Sequence, residues 1–338
     1  MLPRATHACR PRASRRTLRG VQSPPPPLFI AVLACALACG ASPRPVTPTA
    51  GAHDIVTSDG ARLAVHVAGH GPTCLFIHGG PGQDTLSFEQ MGGNSLEAFA
   101  TMVYLDQRGS GRSPDSRDYS LARVVQDFDE VRQQLGVDKL CLVAHSFGGI
   151  LAVSYALRYP QHVSSLVMAN TTLQFLGPTQ ARMQIAFVNE LLAARGLPAI
   201  AIPSDPAGLA AAHDEAFAQA VQKTDEQYRM ITVHLENVKR MNELERSYPR
   251  SRGYGQYVMD QHRQGEYYED YAPRSAEITA PVLILTSRLD RAVGPDEYKR
   301  FRFPHASVVE LPGGHMSYAD DTAAFAEAIH RFLVAHPD

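Results

Sequence analysis

No carboxylate occurs in this 338-residue chain before Asp54, no tryptophan occurs anywhere, and only Cys74 and Cys141 of the five cysteines lie beyond residue 39. The acid-free start carries six arginines up to residue 38, so the net charge of −2 conceals a basic leader and a remainder of 26 basic against 34 acidic residues. That remainder has no basic excess with which to track a polyanion, which excludes nucleic acid as a partner. Two body cysteines exclude a disulfide-dense scaffold; both sit in short apolar runs and read as buried thiols, with no disulfide implied. No Cys/His cluster has zinc spacing, so neither a metal nor a cofactor is expected. There is no internal repeat, and 44% hydrophobic residues exclude collagen and wholesale disorder. The remaining roughly 290 residues suffice for one large α/β domain or two smaller ones.

Residues 1–27 are basic and proline-rich, and the twelve residues Leu28–Cys39 form an apolar run without a charge. A membrane-spanning helix needs about 20 apolar residues, so the run is short for a span. A basic flank, a short apolar core and small residues at its end describe a secretory signal over 1–39. The alternative is a buried helix of the fold. Ala36-Leu-Ala-Cys-Gly40 resembles a bacterial lipoprotein processing site, with Ala36 where that pattern prefers leucine; Cys35 is a second candidate. Ser14–Arg19 resembles a twin-arginine export signal. The expectation is an exported chain, periplasmic or anchored to a membrane through a lipidated Cys39, followed by a proline-rich tether over 40–52.

After the tether come β-like runs at 55–57, 63–67, 74–78 and 102–106. Apolar residues then recur at helical spacing from Leu121 to Leu135. Leu140–Ala144 reads as a buried strand, Gly148–Tyr159 as a helix closed by Pro160, and Val163–Ala169 as a further strand. Hairpin-like strands followed by strand–helix alternation predict a mostly parallel sheet with helices on both faces. The alternation stops over 171–275, where helix-like stretches (181–195, 206–222, 225–245) precede a tyrosine-rich segment. It resumes with strands at 281–286 and 307–311 and a last helix at 321–335. The reading is a core of 53–170 and 276–338, with 171–275 as a helical lid inserted before the last two strands.

The most informative motif is Leu140-Cys-Leu-Val-Ala-His-Ser-Phe-Gly-Gly149, where an apolar strand ends, a serine follows and small residues open a helix. A serine on so sharp a turn projects its hydroxyl from the sheet, and the next N–H, that of Phe147, points at a developing oxyanion. Ala144 stands where the first glycine of Gly-x-Ser-x-Gly is usual. His78-Gly-Gly-Pro-Gly82 follows another strand, and its Gly80, with Gly79 adjacent, is the candidate second oxyanion donor. A serine nucleophile needs a base and an orienting acid, in the chain order Ser, acid, His. Asp290 follows the strand ending near Thr286, and His315 lies in Pro312-Gly-Gly-His-Met after the next strand. Asp296 and Asp320 are the neighbouring alternatives for the acid.

HGGPG, Asp106-Gln-Arg-Gly-Ser-Gly-Arg-Ser113 and AHSFGG together resemble the proline iminopeptidase group of the α/β-hydrolase superfamily. The resemblance implies the α/β-hydrolase fold, a serine aminopeptidase of short peptides, and a structural turn at 106–113. It also implies lid glutamates for the substrate's free amine, for which Glu236, Glu243 and Glu245 are candidates, and aromatic walls such as Tyr254 and Tyr257. Surface ion pairs on a helix are the alternative for these glutamates. Without tryptophan, the family's lid tryptophan–glutamate pattern cannot exist here. Two other readings stay open: a lidded ester or carbon–carbon bond hydrolase of a small molecule, and a non-catalytic binding protein on the same fold.

Overall fold

The computed structural model describes residues 48–220 and 225–337. The expected leader and Cys39 lie outside the described residues. One sheet has the order β1-β2-β4-β3-β5-β6-β7-β8. Its strands are β1 Gly51–Val56, β2 Arg62–Gly69, β3 Thr73–Ile77, β4 Thr101–Leu105, β5 Leu140–His145, β6 Val163–Ala169, β7 Val282–Ser287 and β8 Ala306–Leu311. β1 and β2 pair antiparallel, as do β2 and β4; every other neighbouring pair is parallel. Gly51 already pairs with Val67, so β1 begins two residues inside the expected tether.

The central strands β3, β4 and β5 are buried along their whole length, which is why they read as unbroken apolar runs. Successive residues face opposite sides: Leu75, Ile77, Leu142 and Ala144 enter one core, and Cys74, Phe76, Cys141 and Val143 the other. The first core is closed by α2 (Leu121–Gln134) and α3 (Gly148–Arg158), the second by α1 (Leu86–Gln90) and the last helix. α1 and the 3₁₀ turn Gly93–Ala98 have no clear period in the sequence. Phe88 of α1 stacks on Phe76 with ring centroids 3.6 Å apart, so tertiary packing defines that short helix.

Between β6 and β7 run α4 (Pro178–Ala194), α5 (Pro206–Ala220), α6 (Leu235–Arg246) and α7 (Gly253–Met259). α4 and α5 share a small apolar core that includes Ile185, Val188, Leu192 and Leu209. The single helix expected over 225–245 is instead a 3₁₀ turn, Asp225–Met230, then a break, then α6. The chain closes with α8 (Ser317–Asp320) and α9 (Thr322–Ala335), whose first turn is capped by Asp321 accepting from the Ala324 N–H. Among the described residues no helix is long and apolar enough to cross a membrane.

The 106–113 turn is tied down by charge. The Arg108 side chain has no exposed surface and forks onto both oxygens of Asp127, at 2.6 and 2.7 Å, while its Nη1 and Nη2 reach Asp59. Arg108→Met removes this fork but leaves Asp127 the Arg123 guanidinium, whose Nη2 donates to Oδ1 at 2.9 Å. The substitution is therefore expected to lower the unfolding free energy by about 1.5–3 kcal/mol, the worth of hydrogen bonds to a charged group, read from urea denaturation midpoints.

Candidate active site

β5 ends at His145 and α3 begins at Gly148, so Ser146 and Phe147 make the whole strand-to-helix turn. So short a reversal puts Ser146 at φ 58°, in the left-handed region that non-glycine residues rarely adopt. Bare glycine backbone makes the room: a Cβ on Gly148 would lie 2.3 Å from the Ile77 carbonyl oxygen, and one on Gly79 would lie 2.7 Å from Ser146 Cβ. In the buried run 140–153 Ser146 alone keeps partial exposure.

The donors expected for an oxyanion are positioned from behind. His78 is buried; its Nε2 accepts from the Gln107 N–H at 3.0 Å, so the proton sits on Nδ1, which donates to the Gly79 carbonyl at 3.1 Å. Burial outweighs the nearby Asp106 carboxylate and lowers the His78 pKa, keeping the ring neutral. The Gly79 carbonyl also accepts from the Gln83 N–H. In a planar trans peptide the N–H points away from its carbonyl, so Gly80 turns its N–H the opposite way, and Gly80 lines the cavity that Ser146 faces. Among the described residues neither the Gly80 nor the Phe147 N–H meets a protein acceptor.

His315 and Asp290 follow the adjacent strands β8 and β7. His315 Nδ1 donates to Asp290 Oδ2 at 3.0 Å. Asp290 is 1% exposed and its other contacts are built in: Oδ1 accepts from the Ala292 and Val293 N–H groups at 2.9 and 3.0 Å, and Oδ2 from Asn170 Nδ2 at 2.9 Å. Burial opposes ionisation of Asp290, yet His315 and these donors outweigh it and hold the carboxyl below its ordinary range. Neither alternative acid takes this place: Asp296 pairs with Lys299, and Asp320 bonds the Gly314 N–H.

Sequence reasoning missed three contributors. Asn170, just past β6, orients Asp290. His145 sits immediately before the serine, where its Nε2 donates to the His315 carbonyl at 2.9 Å and its ring lies 4.6 Å from the His315 ring. Burial and the neighbouring His315 bring the His145 pKa from 6.5 down to about 3. Asp214, on α5, is the carboxylate in the cavity wall. Strand-end position alone could have flagged Asn170 and His145.

The cavity over Ser146 and His315 has a volume of about 350 Å³. Phe175, Leu176, Phe217, Met230, Ile231, Met241, Met259 and Met316 supply most of its wall, with Thr172, Gln180, Gln184, His213 and Asp214 on the polar side. Asp214 is engaged by Arg263 at 2.5 Å, which also donates to His213 Nδ1 at 2.7 Å. The expected glutamates are not at this cavity. Glu236 pairs with His234 and Glu243 with Arg240, both well exposed, and Glu245 pairs with Arg250. They lie elsewhere because α6 turns Val238, Met241 and Leu244 inward. Tyr254 is fully buried in the first core, and Tyr257 is a half-exposed neighbour of Tyr119; neither lines the cavity. Among the described residues no cluster of three or more His, Cys, Asp or Glu side chains could hold a metal ion.

The family model of the alpha/beta hydrolase fold matches residues 72–322, and the chain belongs to that family. It is 34% identical over 108 residues to a proline iminopeptidase of Saccharolobus solfataricus, covering 31% of this chain and 34% of the relative. It is 34% identical over 144 residues to a putative 2-succinyl-6-hydroxy-2,4-cyclohexadiene-1-carboxylate synthase of Bacillus subtilis, covering 39% and 50%. The chain thus spans a third to a half of the length of these curated relatives. A proline iminopeptidase-related protein of Thermus thermophilus superposes with a TM-score of 0.67 at 24% identity, over 86% of this chain and 98% of that one.

His145 gives the site a pH signature. Between pH 6.5 and about 3 the unfolded chain takes up a proton on this ring that the folded chain refuses, so stability falls as pH drops through that window. His78 and His213 act in the same direction. His145→Gln is expected to flatten part of the pH slope of the unfolding free energy, measured by urea titrations across the window.

Proposed function

We propose that the protein is a serine hydrolase that works through an acyl-enzyme. With the His315 proton committed on Nδ1 to Asp290, Nε2 keeps the lone pair that takes the Ser146 proton as Oγ attacks a carbonyl carbon. The N–H groups of Phe147 and Gly80 receive the oxyanion, His315 returns the proton to the leaving group, and water then releases the acid by the same route. The segment 171–275 serves as the lid over this chemistry, and the basic leader supports export, with Cys39 as the lipid anchor.

The wall of the cavity carries the substrate reading. It is mostly methionine, phenylalanine and aliphatic side chains, and its carboxylate, Asp214, is neutralised by Arg263. A free ammonium entering there would lose water without gaining an unpaired anion. The geometry best supports a small ester with an uncharged, largely apolar acyl group, and four methionines suit acyl groups of varied shape. The second reading, an aminopeptidase of the proline-iminopeptidase type acting on short peptides, draws on the three motifs and the similarity to proline iminopeptidases. In that reading Asp214, rather than Glu236, Glu243 or Glu245, would meet the amine.

Short-chain p-nitrophenyl esters assayed beside prolyl and alanyl p-nitroanilides separate the two. The expected result is ester turnover and none of the anilides. Anilide turnover that disappears when the amine is acetylated would establish the aminopeptidase instead.

A further inference from the structure

The loops carrying the acid and the base are both bonded to one short stretch, the last residue of the 3₁₀ turn at 225–230 and the break that follows it before α6. The Arg291 N–H, one residue past Asp290, donates to the Met230 carbonyl at 3.2 Å; the Met316 N–H, one residue past His315, donates to the Ile231 carbonyl at 2.8 Å. Thr232 completes the span: its hydroxyl donates to Asp320 Oδ1, while Asp320 Oδ2 accepts at 2.7 Å from the N–H of Gly314, the residue before His315. Asn237 Nδ2 and the Val233 N–H also donate to Asp320, at 3.1 and 3.3 Å.

The two glycines before His315 fit this arrangement. A Cβ at Gly313 would lie 2.7 Å from Asp320 Cβ, and one at Gly314 would lie 3.3 Å from Thr232 Cα. The base loop is therefore built to lie against the stretch, and the helix is interrupted where its carbonyls are needed by the two loops. The same stretch reaches the substrate space, since Met230 and Ile231 line the cavity.

We propose that residues 230–232 are a clamp that fixes the spacing of the Asp290 and His315 loops, with Thr232 and Asp320 as its positioning residues. An acyl group that packs on Met230 and Ile231 then bears on both loops at once, so lid seating and triad alignment are one event. The proposal rests on the Ser146–His315–Asp290 assignment above and adds to it a role for Thr232 and Asp320, which line no part of the cavity.

Thr232→Val tests it, being nearly isosteric and leaving Asp320 its other three donors. A misplacement of the order of 1 Å costs about 10²-fold, so kcat is expected to fall by about 10- to 100-fold with KM unchanged. Thr232→Ser, which keeps the hydroxyl donor, is expected to recover kcat. The clamp is overturned if Thr232→Val keeps the wild-type kcat, if only KM rises, or if Thr232→Ser loses as much as Thr232→Val. Should Thr232→Val fail to fold by circular dichroism, Asp320→Asn is measured in its place, against the same fall in kcat at constant KM. Ser146→Ala runs in the same assay. If it remains active the nucleophile assignment fails; if it is inactive while the clamp variants match wild type, only the clamp fails.

Discussion

The site hangs on one backbone torsion. Holding Ser146 at φ 58° costs of the order of 1–3 kcal/mol and persists only because the surroundings leave it no alternative. β5 is buried along its whole length and α3 from Gly148 to Val153, the turn between them has two residues, and the glycines at 79 and 148 let neighbouring backbone close around it. The same torsion places the serine at the cavity, where, among the described residues, the Phe147 N–H has no protein acceptor. What the sequence shows as three separate motifs is, in space, a single packing solution for this turn.

Around that turn, partners fix the imidazoles that matter. His78 accepts from Gln107 and donates to Gly79, which aims the Gly80 N–H. His145 donates to the backbone of His315, and His315 donates to Asp290. The acid, in turn, is held by two backbone N–H groups and by Asn170. Burial without these bonds would neutralise Asp290 rather than keep it charged. Little at the site is left to rearrange except the space above the serine, and the clamp at 230–232 ties that space to the acid and base loops.

Much of this was legible because it is local. The elbow needs only a strand, a serine and small residues in sequence. The order Ser146, Asp290, His315 follows from strand ends, and β7 and β8 do prove to be neighbours. The helical segment was harder, because its details depend on contacts far along the chain. The break after Met230 is set by residues 291, 314, 316 and 320, so the apolar period across 225–245 predicted one helix where there are two pieces. The expected glutamates followed a family pattern, and α6 buries Val238, Met241 and Leu244 instead, turning the acids outward. Asp214 stood in an alanine-rich helix with nothing local to mark it, and its place in the cavity wall is purely tertiary.

The central claim, that Ser146 is a nucleophile activated by His315, is tested most directly by covalent labelling. Incubation with a fluorophosphonate followed by intact-mass and peptide mass spectrometry should show one stoichiometric adduct on Ser146 in the wild-type chain. Labelling should be slowed by orders of magnitude in His315→Ala. An unlabelled Ser146, or labelling that proceeds equally well without His315, would contradict the account and leave a binding protein on a hydrolase fold.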